Sequence, residues 1–253
     1  KIAVEESRLK IPLIFGLDVI HGYEATFPIP LAEASTWNPA LVEKSARMQA
    51  IEASAAGINW TFNPMVDIAR DPRWGRIMEG SGEDPYLGSV MAAARVRGYQ
   101  GNDLSANNTI LACVKHYAAY GGAEGGRDYN TVDMSERNFR DFYLPPYKAA
   151  IEAGAGSLMA SFNEIGGVPA SSSQFLMTHI LRNEWKTDAF VVSDWNSIGE
   201  LIPHGVAKDL KQAAELGIKA TVDMDMESNA YYYHLVDLVK EGKVDIKFVD
   251  DAV

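Results

Sequence analysis

Six short apolar runs punctuate this chain, and each ends on a polar or charged residue or an aromatic just past one: IPLIFGLD, INWTFNPMVD, ILACVKH, GSLMASFN, AFVVSDW and GIKATVD. Segments that read as helices stand between them. Strands covered by helices on both faces of a parallel sheet read as continuous Val/Ile/Leu-rich runs, and the residues at their carboxyl ends face the ligand crevice. The pattern therefore predicts six strands and makes Asp18, Asp67, His116, Asn163, Asp194 and Asp223 site candidates as a set.

Helix signals fill the intervals. Asn38-Pro39 supplies a cap followed by proline at the first helical position, and the helix runs to a glycine stop at Gly57. Asp84-Pro85 repeats the signal for a helix reaching Arg97. Asp133 with Glu136 has the form of a capping box, opening a helix that ends near Gly154. Segments 171–185, 206–216 and 229–240 complete the set. Two loops are long, DIARDPRWGRIMEGSGEDPY and GGAEGGRDYNTVD; their length marks them as functional or disordered, and the Trp and Arg content of the first argues for order.

Strands alternating with helices give a parallel sheet, either doubly wound or closed into a barrel. Polar residues end all six strands rather than one switch point, and no strand runs into a Gly-x-Gly-x-x-Gly phosphate turn. Both features favour a (β/α)8-type TIM barrel. Six units against the eight of a closed barrel predict that about a quarter is missing or irregular, at one or both ends. No linker, heptad or low-complexity tract divides the chain, so residues 1–253 are expected to form one barrel-like domain.

Composition narrows the partners. Lys and Arg total 23 against 34 for Asp and Glu, a net charge of -11 that repels phosphate backbones and anionic membranes. Nucleic acid and membrane are not expected as partners, and no apolar stretch reaches the ~18 residues of a membrane span. The chain starts on Lys and stops at DDAV, so both ends are expected to have been cut and its compartment stays open. Cys113 is the single cysteine, set in the apolar run ILACV as a buried structural thiol. Asn59-Trp60-Thr61 and Asn107-Asn108-Thr109 have the form of glycosylation triplets, a match common by chance.

Asp194 is the sharpest chemical candidate, because a carboxylate closing the apolar strand FVVS points into the crevice with Trp195 beside it as an apolar face. Carboxylate plus aromatic platform suits a sugar. The competing role is a helix cap, for which Ser197 is the better placed. Lys115-His116 is a pair of donors at another strand end, costly to bury unpaired and able to hold hydroxyls. Arg76 offers a planar fork for paired hydroxyls, or a salt bridge to Asp67, Asp71 or Glu79 that fixes its loop. Asp18 stands at the first strand end with His21 close behind, as ligand or as loop stabiliser. Asp84 is assigned to capping, and Glu83 has no assignment. Five scattered histidines, no cysteine cluster, no Gly-x-Ser-x-Gly elbow and an Asp223-Met-Asp225 run lacking the other calcium-loop positions weigh against metal and serine-hydrolase chemistry.

Taken in order, IPLIFGLDVIHG, NPMVDIARDPRWGRIMEGSGEDPYL, KHYAAYGGAEGGRDYN, MASFNEIGGVPA and VVSDW resemble glycoside hydrolase family 3, in its bacterial β-glucosidase branch, from about Ile11 onward. The resemblance implies a retaining, exo-acting β-glucosidase that needs no cofactor and releases terminal non-reducing β-glucosyl residues from a β-glucoside or oligosaccharide. Asp194 matches the family's nucleophile; Asp18, Arg76, Lys115 and His116 match residues that bind sugar hydroxyls; Trp195 matches a neighbouring wall, and Met159 and Phe162 match further wall positions. It also implies that the general acid/base is a Glu on a second α/β sandwich domain, absent from these residues, with Glu83 or Glu124 the alternatives within them. The His-Asp pair of the family's β-N-acetylglucosaminidase branch is missing from KHYAAYGGAEGGRDYN. Without an acid, the alternative is a barrel that binds sugar without cleaving it; a barrel acting on phosphorylated metabolites is disfavoured by charge. Secretion or a periplasmic address is implied by the resemblance alone.

Overall fold

The computed structural model describes residues 1–253 and is α/β, built on a curled parallel sheet. Its strands are β1 (Gly16–Leu17), β2 (Trp60–Thr61), β3 (Leu111–Tyr117) and β4 (Ser157–Ala160); a small antiparallel hairpin, β5 (Glu164–Ile165) with β6 (Val168–Pro169), precedes β7 (Phe190–Ser193). The order β1-β2-β3-β4-β7 follows the chain, with every neighbouring pair parallel. A sheet that never reverses its order has no switch point, as in a barrel wall. A single parallel bridge from Val192 to Met224 extends it past β7. This is about half a barrel.

Helices cover the outside: α1 (Pro30–Ala34), α2 (Pro39–Ala55), α3 (Pro85–Gln100), α4 (Glu136–Asn138), α5 (Pro145–Glu152), α6 (Leu210–Lys219), α7 (Ala230–Lys240) and α8 (Ile246–Ala252), with a further helical segment at Phe175–Glu184. The caps of α2 and α3 are those expected: Asn38 accepts from Leu41 N at 3.1 Å and Asp84 from Leu87 N at 2.7 Å. Ser135, rather than Asp133, caps α4 by accepting from Asn138 N, so the cap is displaced by two residues and Glu136 forms no capping box with Asp133.

The alternation of side chains along the strands sorts them between two cores. Ala112, Val114, Leu158 and Val191 join the large cluster beneath the helices. Their neighbours Cys113, Met159 and Val192, with Trp60, form a separate inner cluster on the concave face. Gly16 faces inward as well, where a Cβ would stand 2.6 Å from the Phe62 ring, so only glycine lets β1 approach β2 this closely. Because the period is two, Asp18, Phe62, Lys115 and Asp194 fall one step further along on the same inner face.

Two predicted strands differ. In IPLIFGLD only Gly16 and Leu17 pair; Ile11, Leu13 and Phe15 are exposed, since β1 is an edge with nothing described over it. GIKATVD is the last turn of α6 and the bend after it: Ala213, Ala214, Gly217 and Ile218 are buried at helical spacing, and the chain reaches the sheet only at Asp223 and Met224, whose N–H groups donate to Val191 O. An apolar run of that length fits a buried helix end as well as a strand.

Candidate active site

A cavity of about 880 Å³ opens at the carboxyl ends of the strands, and residues of β3 and β4 and of the connections after β1, β2, β3, β4 and β7 line it. The eight residues that the family resemblance picks out, Asp18, Arg76, Lys115, His116, Met159, Phe162, Asp194 and Trp195, all border this one hollow, whereas the strand-end candidates Asp67, Asn163 and Asp223 do not. Its floor is well covered: His116 is 1% exposed, Lys115 3%, Met159 4% and Asp194 9%. Trp195, at 62%, stands at the mouth.

Asp194 follows β7 directly. Its Oδ1 accepts from Trp195 N at 2.7 Å, and its Oδ2 is buried without a hydrogen-bond partner, 3.6 Å from His116 Nε2. The connection is pinned from the adjacent segment, since Ser193 N donates to Met224 O at 2.8 Å and Asn196 N to Met226 O at 2.9 Å. Neither Asp194 nor Ser197 caps a helix here; Ser197 Oγ lies 2.7 Å from Ser171 Oγ.

His116 is oriented from behind. Asp67, 1% exposed, accepts from His116 N at 2.8 Å, lies 2.9 Å from His116 Nδ1, and accepts from Tyr120 N at 3.1 Å and the Tyr147 hydroxyl at 2.5 Å. The pairing turns Nδ1 of the ring to Asp67 and leaves Nε2 facing Asp194. The Tyr147 hydroxyl is pushed well above its ordinary pKa, first by burial and then by Asp67, and so stays a donor. The ring also packs edge-on against Tyr120 at 5.0 Å.

Two ion pairs supply the cations. Lys115 Nζ is paired with Asp18 across the β1 side of the cavity. Arg76 forks onto Glu79, at 2.7 and 2.8 Å, with its guanidinium 5.6 Å from the Tyr120 ring centre. Arg76 therefore makes the loop-fixing bridge and lines the cavity too. Its loop is ordered by Trp74, 1% exposed, whose indole N–H donates to Asp128 at 2.9 Å.

The other strand-end candidates serve the scaffold. Asn163 is buried and accepts from Ser161 Oγ at 2.7 Å. Asp223 accepts from Arg182 at 2.6 Å and Val191 N at 2.7 Å, outside the cavity; Asp225 accepts from Ser228 Oγ at 2.6 Å, so neither is spare for a metal. His21 bridges its own loop to Phe27 O at 3.1 Å. Glu83 is exposed and Glu124 pairs with Arg70 at 3.0 Å, and neither lines the cavity. The lining also includes Ile20, Phe62, Glu79, Tyr129, Glu200 and Met226, which the sequence pattern did not single out as site residues. Only Glu79 had a signal, three residues after Arg76.

A curled parallel sheet whose successive strand ends converge on one hollow defines a barrel-type ligand site. The whole chain, residues 1–253, matches the glycosyl hydrolase family 3 N terminal domain, and it belongs to that family. It is 47% identical over 246 residues to a periplasmic β-glucosidase of Salmonella typhimurium, covering 97% of this chain and 32% of the relative. It is 38% identical over 271 residues to a β-xylosidase of Formosa agariphila, covering 99% of this chain and 38% of that one. The fold superposes on a β-glucosidase from Listeria innocua in complex with isofagomine with a TM-score of 0.96 at 46% identity, covering 98% of this chain and 35% of that chain. A mutant of the Listeria enzyme in complex with laminaribiose gives 0.97. The chain thus spans about a third of the length of these relatives.

Proposed function

We propose that these residues form the sugar-binding, nucleophile-bearing part of a retaining, exo-acting β-glucosidase. The observation that carries this reading is Asp194 Oδ2, a buried carboxylate oxygen with no partner in the chain, bordering a sugar-sized hollow. Leaving such an acceptor unsatisfied costs free energy unless a ligand or a reaction uses it. Asp194 attacks the anomeric carbon, the glycosidic bond breaks, and the sugar is held as an ester until water releases it with the same anomeric configuration.

Lys115, His116, Asp18 and Arg76 hold the hydroxyls, and bonds that tighten as the ring flattens toward an oxocarbenium ion lower the barrier selectively. Met159, Phe162 and Trp195 give apolar walls for the faces of the sugar. The departing oxygen needs a proton. A retaining site places the acid about 5–5.5 Å from the nucleophile, and we assign it to a Glu on a second α/β sandwich domain of a longer chain, in keeping with the third of the relatives' length that these residues span. No helix of the structure is long and apolar enough to cross a membrane, and the periplasmic relative supports an exported address.

Release of 4-nitrophenol from its β-glucoside tests the activity. The chain alone is expected to turn over weakly at best, and Asp194→Asn to abolish what there is; activity surviving that change removes the nucleophile assignment. The second reading, sugar held without cleavage, follows from the same cavity lacking an identified acid, and glucose binding by calorimetry with no hydrolysis in any longer chain supports it.

A further inference from the structure

Four carboxylates border the cavity, and three are accounted for: Asp18 is paired with Lys115, Glu79 with Arg76, and Asp194 is held by the backbone of Trp195. Glu200 is the fourth. Nothing in the chain hydrogen-bonds to its carboxyl group, although burial, and next the charge of Asp194, hold its pKa above the ordinary value. His204, which opposes that shift, is itself turned toward Glu164 at 3.5 Å.

The backbone carrying Glu200 is fixed. Glu200 N donates to Asn196 O at 3.0 Å and accepts at its own carbonyl from His204 N at 3.1 Å, while Ile198 and Leu201 on either side are fully buried. An unpaired carboxylate on a rigid turn, pointing into a hollow, is a preorganised acceptor. Its level in the cavity is intermediate: half-buried, between the covered floor of Lys115, His116 and Asp194 and the exposed rim of Trp195.

A sugar whose anomeric carbon sits on Asp194 fills the floor, so whatever is attached to that carbon extends toward the rim. We propose that Glu200 is a specificity residue for the leaving group, accepting a hydrogen bond from a hydroxyl of the second sugar ring while Trp195 covers that ring's apolar face. This rests on the assignment of the floor to the first sugar. With both cations paired, Asp194 and Glu200 also leave the hollow negative, which selects neutral polyol leaving groups over phosphorylated or uronic ones.

The test is calorimetric titration of the chain with glucose and with laminaribiose, in an Asp194→Asn background so that nothing is hydrolysed. The ratio of laminaribiose to glucose affinity is expected to fall about tenfold in Glu200→Ala, the scale of one hydrogen bond to a charged acceptor, and by less in Glu200→Gln, which keeps a carbonyl acceptor. Equal weakening of both sugars, or an unchanged ratio, overturns the proposal. Failure of both sugars to bind while Glu200 is intact overturns the sugar site itself, and is read before any Glu200 variant is made.

Discussion

On the β3, β4 and β7 side of the cavity, His116, Lys115, Met159 and Asp194 are between 1% and 9% exposed, and Asp67 and the strand register fix them. On the β1 side, Asp18 keeps 55% of its side chain in solvent, and Phe15 and Leu17 are exposed at 54% and 41%. One wall inherits its geometry from β3 and β4, which have neighbours on both sides, and from β7, which is held by β4 and by the bridge to Met224. The other hangs on an edge strand of two residues and one ion pair to Lys115. Position in the sheet, more than residue type, decides how rigidly a carboxylate is presented.

The contrast is broken most severely at Asp67. Asp67→Asn puts an NH2 group against donors from His116, Tyr120 and Tyr147, and is expected to cost about 3 kcal/mol of stability and, if the proposed activity holds, to slow β-glucoside hydrolysis by roughly 10- to 100-fold. Urea unfolding and steady-state kinetics check both. Asp18→Asn, on the exposed wall, is expected to cost only about 1 kcal/mol in the same unfolding experiment, because Asp18 is open to water and the asparagine keeps an amide oxygen for the buried Lys115 ammonium. Equal costs for the two changes would erase the distinction between the walls.

The packed side makes a pH prediction. Burial pushes the Cys113 thiol, just beneath the cavity floor, and the Tyr99 hydroxyl each up to about 12 from ordinary values of 9.0 and 10.0. The native state thus keeps protons that the unfolded chain gives up. Their contribution to stability is complete below pH 9 and is lost as pH rises from about 9 to about 12. Thermal unfolding across that range should show the fall, and Cys113 should resist a thiol reagent at pH 8 until urea is added.

The smallest expected effect lies at the far edge, in the bend between α6 and the Met224 bridge. Thr221 sits at φ +68°, and its Oγ1 is buried without a partner. A β-branched residue is strained there. Thr221→Gly is expected to raise stability by about 1 kcal/mol, read as a higher melting temperature; a lower one would mean that the side chain's packing outweighs the strain.

Much of the site was legible because a parallel sheet turns strand ends into a site: Lys115, His116 and Asp194 follow from their places at the polar ends of apolar runs. Asp67 followed too, yet it stands behind His116 rather than in the hollow, a distinction that needs the tertiary path. Asn163 and Asp223 obeyed the same rule and proved structural, because their partners, Ser161 and Arg182, are set by packing. Met159 and Phe162 came from the family resemblance and not from residue chemistry. Tyr129, Glu200 and Met226 arrive on connections whose course no local pattern encodes. The lost strand at 217–223 shows the limit of apolar runs, since α6 buries Gly217 and Ile218 by helical spacing and the bend after it buries Ala220 and Val222.

The most direct measurement is to trap the sugar on the chain. A 2-deoxy-2-fluoro-β-glucoside with a dinitrophenyl leaving group needs no acid to depart, and its fluorine slows release, so an ester should accumulate even where the acid/base is missing. Digestion and mass spectrometry are predicted to find one adduct, on Asp194, and none in Asp194→Asn. An adduct on another residue, labelling that persists in Asp194→Asn, or no adduct at all would contradict the account.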